Sequence, residues 1–243
     1  MIQRIRHKIR TLRDRARFNH DFKEFRTLLA VGASCLSLSW NDRRMIYEDT
    51  AKTPFDTHYI YHPAWAARIL AKTKPCEHVD ISSKLDFSTL VSAFIPIKFY
   101  DYRPAHITLG NLTTEHADLT SLPFNNASVA SLSCMHVVEH IGLGRYGDPL
   151  DPGGDLKAMR ELARVLATGG TLIFVVPVGK PKIVFNAHRI YAYDQIIDAF
   201  KDLTLKEFSL IPDDAETRGI LHNAQKKDSD AQSYGCGCFW FTK

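Results

Sequence analysis

The sequence predicts an α/β fold with a doubly wound, mostly parallel seven-stranded sheet that ends in an antiparallel hairpin. From Glu77 onward, short runs rich in β-branched and aromatic residues alternate with helical segments, which is typical of parallel sheets. Two final strands follow the last helix with no helix between them, so we expect them to pair as a hairpin. With 243 residues and 45% hydrophobic residues, the chain can bury one substantial core.

The predicted elements follow one another in a regular order. Strands are expected at 78–82, 97–102, 117–119, 129–135, 171–176, 203–211 and 236–242, and helices at 87–94, 155–166 and 193–200. In the helix at 155–166, apolar residues recur every three or four positions, and Gly169-Gly170 is expected to supply its left-handed exit. The polar segment 213–233 is expected to be a mobile excursion between the last two strands.

The amino terminus, residues 1–30, is expected to form a basic amphipathic helix. Ile2, Ile5 and Ile9 lie three or four positions apart among arginines and lysines. Residues 1–26 hold nine Lys/Arg and three Asp/Glu, a net charge of +6, so the rest of the chain, whose total is +4, sums to −2. Such a helix can lie on an anionic membrane surface, cover a partner or remain a solvated helix, and all three alternatives stay open.

Residues 31–76 form an aromatic lead-in that ends in an apolar helical stretch, 64–70, and precedes the main domain at 77–243. The excess of basic over acidic residues is confined to the amino terminus, so we do not expect a nucleic-acid partner. No apolar run is long enough to cross a bilayer, and the start does not resemble a signal peptide.

The five cysteines are scattered and odd in number, which favours reduced thiols and a cytoplasmic location, with peripheral contact at a membrane as the alternative. Cys236 and Cys238 alternate along a predicted strand and are expected to pack there. Two thiols without a second pair make a poor zinc site, so no metal is expected. The oligomeric state is left open.

Polar residues follow the ends of the predicted strands. Asp80 lies in the first strand, Asp101 ends the second, Asp118 ends the third and His136–His140 follow the fourth. In a doubly wound sheet, ligands bind outside the carboxyl ends of the strands, where the strand order reverses. The separation 101 − 80 = 21 residues fits one strand–helix–strand unit, so a carboxylate at Asp101 is placed to accept the ribose hydroxyls of a nucleoside. A solvated loop explains that spacing alone equally well.

The motifs of this region resemble those of the class I S-adenosylmethionine-dependent methyltransferases. The resemblance rests on runs that occur in the family's order and spacing: Ala117-Asp118-Leu119, Leu122-Pro123-Phe124, Cys134-Met135-His136-Val137-Val138-Glu139-His140-Ile141, Glu161–Leu166, Gly169-Gly170 and the strand ending in Pro177. The stretches 139–154 and 186–191 are similar to an uncharacterised branch of that superfamily. The resemblance implies a Rossmann-like methyltransferase fold with S-adenosylmethionine as cofactor.

The resemblance also implies roles for individual residues. The cofactor-binding residues would be Asp80, Ser82, Asp101, Tyr102, Asp118, Leu119 and Met135. Methyl transfer to a hydroxyl needs alignment and a base, and the histidines available as bases are His140, His136 and His188. The acceptor, a small molecule or a glycan, would be bound by Glu139, Arg145, Tyr146, Arg189 and Tyr191. For His140 and His188, a purely structural role is the alternative to catalysis.

The first loop departs from the family's pattern, in which glycines alternate after the acidic residue. Here Ser82, Lys84 and Asp86 occupy the glycine positions. Three functions therefore remain open: an O-methyltransferase, a degenerate methyltransferase fold kept as a binding or scaffold module, and a transferase that uses a nucleotide-linked donor. Lys84 and the loop 142–154 favour the third.

Overall fold

The computed structural model describes residues 2–32, 36–46 and 48–243, and of residues 2–10 it describes the backbone only. Cys35 and Tyr47 lie outside the described residues, as do the side chains of the amino-terminal isoleucines that predicted an apolar stripe. The chain forms two compact units, Met1–Pro54 and Phe55–Lys243. The described helices include none that is long and apolar enough to cross a membrane.

The first unit is built around one long helix, α1 (Ile2–Val31), and a 3₁₀ turn at Trp40–Asp42. Phe22 packs edge to face against Trp40, with ring centroids 5.0 Å apart. The guanidinium of Arg17 donates to the carboxylate of Asp49 at 3.1 Å. These contacts hold the chain after the helix against the helix itself.

The second unit contains an α/β sheet with helices on both faces. Its elements are α2 (Thr57–Thr73), β1 (His78–Ile81), α3 (Leu85–Val91), β2 (Ile97–Asp101), β3 (Leu112–His116), β4 (Val129–Met135), α4 (Gly154–Val165), β5 (Leu166–Val178), β6 (Lys182–Val184), β7 (His188–Ile190), α5 (Tyr193–Ala199), β8 (Thr204–Ile211), α6 (Ala215–Arg218), α7 (Lys226–Asp230) and β9 (Gly235–Thr242). A 3₁₀ turn at Val138–His140 follows β4.

The seven-stranded sheet has the order β3-β2-β1-β4-β5-β9-β8. The strands from β3 to β5 are parallel, and β9 pairs antiparallel with both β5 and β8. The predicted fold class, including the antiparallel pair at the carboxyl end, is therefore confirmed. The order reverses at β1, which lies between β2 and β4, so the crevice of the sheet opens at the carboxyl ends of β1 and β4.

Each face of the sheet is covered by helices. Trp65, Ile69 and Leu70 of α2 pack with α3 on one face, and α4 and α5 cover the other face. The helix α2 begins where the carboxylate of Asp56 accepts from the amide of Tyr59 at 3.2 Å, and it ends at Lys74, which adopts a left-handed conformation.

Two details differ from the sequence prediction. The third strand lies at Leu112–His116 rather than at 117–119, because the carboxylate of Asp118 accepts from the amide of Thr120 and turns the chain there. Gly169 has a positive φ of 74°, but α4 has already ended at Val165. The pair Gly169-Gly170 therefore belongs to the start of β5 and not to the exit of the helix.

The connection between β8 and β9 is polar, as predicted, but it is folded rather than an open excursion. It contains α6 and α7. Its base is closed by Asp213, whose carboxylate accepts from the amides of Ser233 at 2.7 Å and Tyr234 at 2.9 Å. This closure fixes the start of β9 beside the ends of the neighbouring strands.

Candidate active site

The first loop after β1 begins with a residue in a strained backbone conformation. Ser82 has φ 54°, and its amide donates to the carbonyl of Tyr100 at 2.8 Å. Its side chain is half-buried. The turn that a glycine usually supplies is thus made here by a serine, and the family's glycine pattern has no counterpart further along the loop.

Lys84 and Asp86 do not crowd the turn, because α3 starts at once. Lys84 is extended, with φ −61° and ψ 129°, and stands as the residue before the helix. Its ammonium lies 3.1 Å from the carboxylate of Asp86, and both side chains are largely exposed.

Asp80 is fully buried beneath this loop. Its carboxylate accepts from the hydroxyl of Ser88 at 2.5 Å and from the hydroxyl of Ser133. Burial raises the pKa of Asp80 to about 6, although the hydroxyls of Ser133, Ser83 and Ser88 oppose that rise. Asp80 therefore ties β1 to α3 and β4 and does not reach the surface of the crevice.

A cavity opens at the ends of β1, β2 and β4, and we call it the nucleoside cavity after the ligand that the sequence predicts there. Its lining residues lie at strand ends and in the loop after the 3₁₀ turn: Ser82, Tyr102, Ala117, Asp118, Leu119, Thr120, Val137, Ile141, Gly142, Tyr146, Asp148, Pro149, Asp151 and Gly154. Four residues predicted to bind cofactor, Ser82, Tyr102, Asp118 and Leu119, are thus brought together. The loop 142–154 forms one wall.

Asp101 lies one residue outside this lining. It ends β2, it is partly exposed, and its carboxylate accepts from the amide of Arg103 at 2.7 Å. The end of β2 contributes Tyr102, rather than Asp101, to the described wall of the cavity. The carboxylate of Asp101 therefore closes a local turn, and its ribose-binding role stays a prediction.

Met135 and His136 end β4 beside the first loop. Met135 is buried, and its amide donates to the hydroxyl of Ser83 at 3.2 Å. His136 has φ 57° and is also buried. Met135 packs in the core on the α2 face of the sheet, so it supports the crevice rather than lining it.

Glu139 lies at the centre of a buried histidine cluster. Its Oε1 accepts from Nδ1 of His136 at 2.8 Å and lies 3.8 Å from Nε2 of His140. Burial by itself would raise the pKa of Glu139, but the charge and hydrogen bond of His136 outweigh it, and the pKa is lowered. Its Oε2 is buried without a hydrogen-bond partner among the described residues.

The orientation of His140 leaves one ring nitrogen available. Its Nδ1 donates to the carbonyl of Ala187 at 2.5 Å, so the neutral ring carries its lone pair on Nε2. Burial lowers the pKa of His140, although Glu139 opposes the shift. An imidazole that is neutral near pH 7 and has a free Nε2 is suited to accept a proton.

The segment 136–141 also borders a second cavity, which we call the acceptor cavity after the ligand that the sequence predicts for its residues. Its lining residues come from α2, the turn after β4, the loop 142–154, the β6–β7 hairpin and the residue before β9: Tyr59, His136, Glu139, His140, Arg145, Asn186, Ala187, His188 and Tyr234. Of the residues predicted to act on an acceptor, His136, His140, His188, Glu139 and Arg145 meet here. Tyr146 lies in the wall of the other cavity, with its ring against that of His140.

Arg189 and Tyr191 have structural partners. The guanidinium of Arg189 is buried, donates to the carbonyl of Ile141 at 2.7 Å and lies 3.4 Å from the carboxylate of Asp155. The hydroxyl of Tyr191 donates to the same carboxylate at 3.0 Å. Neither side chain is among those that form the acceptor cavity, and both hold the loop 141–155 against the sheet.

Helix α2 contributes two histidines that were not among the predicted site residues. His58 stacks on His136 with ring centroids 5.3 Å apart, and His62 packs edge to face on the same ring at 5.0 Å. Burial, aided by His136, lowers the pKa of His58 to about 4. The spacing of four residues between His58 and His62 was the available signal, since it places both on one face of a helix.

A comparison with solved structures assigns the architecture. A candidate sarcosine dimethylglycine methyltransferase from Galdieria sulphuraria aligns over 74% of this chain and 84% of its own, with 14% identity and a TM-score of 0.52. The chain has the class I methyltransferase fold. The N-methyltransferase NodS of Bradyrhizobium japonicum, solved with S-adenosylhomocysteine, aligns over 73% of this chain and 83% of its own, with 13% identity and a TM-score of 0.48.

Sequence comparisons add little to this methyltransferase fold. Residues 98–210, under half of the chain, match a family described as a Caenorhabditis protein of unknown function, DUF268. No curated protein matches the chain.

Proposed function

We propose that this protein is an S-adenosylmethionine-dependent methyltransferase that acts on a hydroxyl of a small molecule or glycan. The observation that carries the proposal is the buried Glu139, whose Oε1 binds His136 while its Oε2 has no partner among the described residues. A buried carboxylate oxygen without a partner is expected to accept a hydrogen bond from a ligand. It lies in the wall of a cavity next to the nucleoside cavity.

The residues of the nucleoside cavity fit an adenosine-containing cofactor. Leu119 offers an apolar surface for a base, and Asp118 is exposed with one carboxylate oxygen engaged by Thr120. Ser82 supplies the left-handed turn at the end of β1 that lets a backbone approach a ligand closely. The cofactor, when bound, supplies an electrophilic methyl group on a sulfonium.

His140 is the residue that we assign as the general base. Its Nε2 would take the proton from the acceptor hydroxyl, while Nδ1 remains fixed on the carbonyl of Ala187. Arg145 donates to the same carbonyl at 3.1 Å and so helps to hold the ring. Glu139 would accept from a neighbouring hydroxyl through Oε2, which orients the acceptor toward His140.

The chemistry of the acceptor cavity favours a polyol or a sugar. Tyr59 and Tyr234 contribute aromatic rings, and Glu139, Arg145 and Asn186 contribute groups that bind hydroxyls. An aromatic face beside several hydrogen-bonding groups suits a ring that carries many hydroxyls. His188 stacks near Tyr234 at 4.9 Å and would contact the same ligand.

Tritium transfer from methyl-labelled S-adenosylmethionine to a panel of polyols, phenols, monosaccharides and oligosaccharides tests the proposal. We expect incorporation that falls by about 10²-fold or more in His140→Asn, because the base is lost. A matched control is His222→Asn, which removes a histidine that contacts Ser209 and Glu207 outside the acceptor cavity. Equal incorporation by His140→Asn and the wild type would rule out the assigned base.

A binding or scaffold module is the second candidate. It is favoured by Ser82, Lys84 and Asp86, which replace the glycines that the resemblance leads us to expect. Failure to bind S-adenosylhomocysteine would support it. The third candidate, a transferase that uses a nucleotide-linked donor, loses its main support, because Lys84 is paired with Asp86 and is not part of the nucleoside cavity wall.

A further inference from the structure

Two buried histidines and a buried cysteine converge behind the acceptor cavity. Ligand atoms of His58, His136 and Cys236 all lie within 4.8 Å of one another, and all three residues are buried. In the described part of the chain, the other such group, His20, Asp21 and Glu24, is exposed on α1. Three chain segments far apart in sequence, α2, the end of β4 and β9, meet to form the buried cluster.

We propose that His58, His136 and Cys236 bind a divalent cation of the zinc class. Imidazole nitrogens and a thiolate are the ligands that zinc prefers. In tetrahedral coordination with bonds of about 2.0–2.1 Å to nitrogen and about 2.3 Å to sulfur, the two ligand atoms lie about 3.5 Å apart. Nε2 of His136 lies 3.3 Å from Sγ of Cys236, which is close to that separation.

The hydrogen bonds of His136 favour metal binding through Nε2. Nδ1 donates to the carboxylate of Glu139 at 2.8 Å, so the lone pair of the neutral ring lies on Nε2, the atom that approaches Cys236. Histidines that bind metals usually donate their other nitrogen to a carboxylate or a carbonyl in this way. His136 is therefore already oriented by its partner.

A buried nitrogen beside the cluster gives a second indication. Nδ1 of His62 contacts the carbonyl of His58 at 2.6 Å, whereas its Nε2 is buried without a hydrogen-bond partner in the described structure. The ring centroid of His62 lies 5.0 Å from that of His136. An unsatisfied acceptor at this depth is expected where a cation or its bound water supplies the missing contact.

The cluster can be reached from solvent. A further cavity, which shares Tyr59, His136 and Tyr234 with the acceptor cavity, is also lined by His58 and Asp56. With three protein ligands, the fourth position of a tetrahedral ion remains for water, as in zinc sites that are open to ligands. This proposal does not depend on methyl transfer, because it needs neither the nucleoside cavity nor His140.

Titration with Zn²⁺ in competition with a chromophoric chelator, and with Co²⁺ followed by absorption, tests the site on the full chain. We expect binding at one site and a thiolate-to-cobalt charge-transfer band. In Cys236→Ser the band should disappear, and Zn²⁺ affinity should fall at least tenfold in both Cys236→Ser and His58→Ala. Glu139→Gln should weaken affinity by about 10- to 100-fold, because His136 loses its orienting carboxylate.

Cys134→Ser is the matched control, since it changes a buried cysteine that packs in the core on the other face of the sheet. It should bind both ions as the wild type does. Thermal unfolding without metal checks that each variant is folded. If His58→Ala fails this check, His58→Gln replaces it. Absence of binding by the wild type, or unchanged binding by the folded His58 and Cys236 variants, would overturn the proposal.

Discussion

Ser82 and His136, the first residues after the adjacent strands β1 and β4, share a left-handed backbone conformation, with φ values of 54° and 57°. Each residue directly follows its strand at the point where the sheet order reverses. Left-handed backbone is strained for residues other than glycine and tends to occur at functional sites. The two turns therefore lie at the carboxyl ends of the strands that border the crevice.

We predict that Ser82→Gly and Ser82→Val separate the effect of the turn from that of its side chain. Glycine adopts positive φ freely, so Ser82→Gly should stay within about 1 kcal/mol of the wild type and keep its affinity for S-adenosylhomocysteine. Valine is β-branched, and Ser82→Val should lose about 1–2 kcal/mol and bind at least tenfold more weakly. Urea unfolding and calorimetric titration measure the two quantities. Tighter binding by Ser82→Val than by Ser82→Gly would contradict the account.

The buried ion pair of Arg189 and Asp155 should dominate the stability of the loop 141–155. Removal of one partner leaves a buried charge, so Arg189→Met should lower the free energy of unfolding by about 3–5 kcal/mol. The double variant Arg189→Met with Asp155→Asn should recover a large part of that loss, because no uncompensated charge remains. Urea unfolding of the two variants provides the comparison, and a double variant no more stable than Arg189→Met would show that the charge is not the cause.

Asp80 should make stability fall as the pH rises. Its pKa is about 6 in the folded protein because of burial, against 3.8 for the ordinary group, so the folded state holds the proton more tightly. The stabilising contribution of the protonated form is complete below about pH 4 and is lost as the pH rises through 6. Relative to Asp80→Asn, the wild type should lose about 3 kcal/mol over this window. Urea unfolding at several pH values tests this, and a constant difference between the two proteins would contradict it.

Much of the fold could be predicted from the sequence, but burial of charge could not. The alternation of β-rich and helical runs predicted β4 and α4 to within a residue or two, because both have strong periodicity. The third strand was misplaced because Asp118 reads equally well as a strand end or as a turn residue. The burial of Arg189 depends on Asp155, which is distant along the chain, and no local pattern reveals such a pairing.

The candidate site was predicted in part. Asp118 and Leu119 line the nucleoside cavity and Glu139 and His140 line the acceptor cavity, while their binding roles stay predictions. The contribution of His58 was missed because α2 lies outside the alternating region and its histidines are interspersed with aromatic residues. Which strand-end carboxylate faces a cavity is decided by local turns, as the bond from Arg103 to Asp101 illustrates.

We propose that α1 contacts anionic membrane surfaces through its arginines. Leu12 is 65% exposed on this helix, and Arg13 and Arg15 are exposed beside it. The full chain should sediment with vesicles that contain phosphatidylserine, less so as salt is added, and not with pure phosphatidylcholine. Arg13→Glu with Arg15→Glu should weaken the binding. No sedimentation of the wild type would favour a solvated helix or a protein partner, and equal sedimentation of this variant and the wild type would show that these arginines do not make the contact.

Calorimetric titration with S-adenosylhomocysteine tests most directly whether the nucleoside cavity binds the cofactor. We expect micromolar binding by the wild type and by Asp86→Ala, which changes an exposed carboxylate outside the cavity. Asp118→Ala should bind at least tenfold more weakly, and Asp101→Ala tests whether that carboxylate also reaches the ribose. No binding by the wild type, or equal affinities for the wild type and Asp118→Ala, would contradict the account.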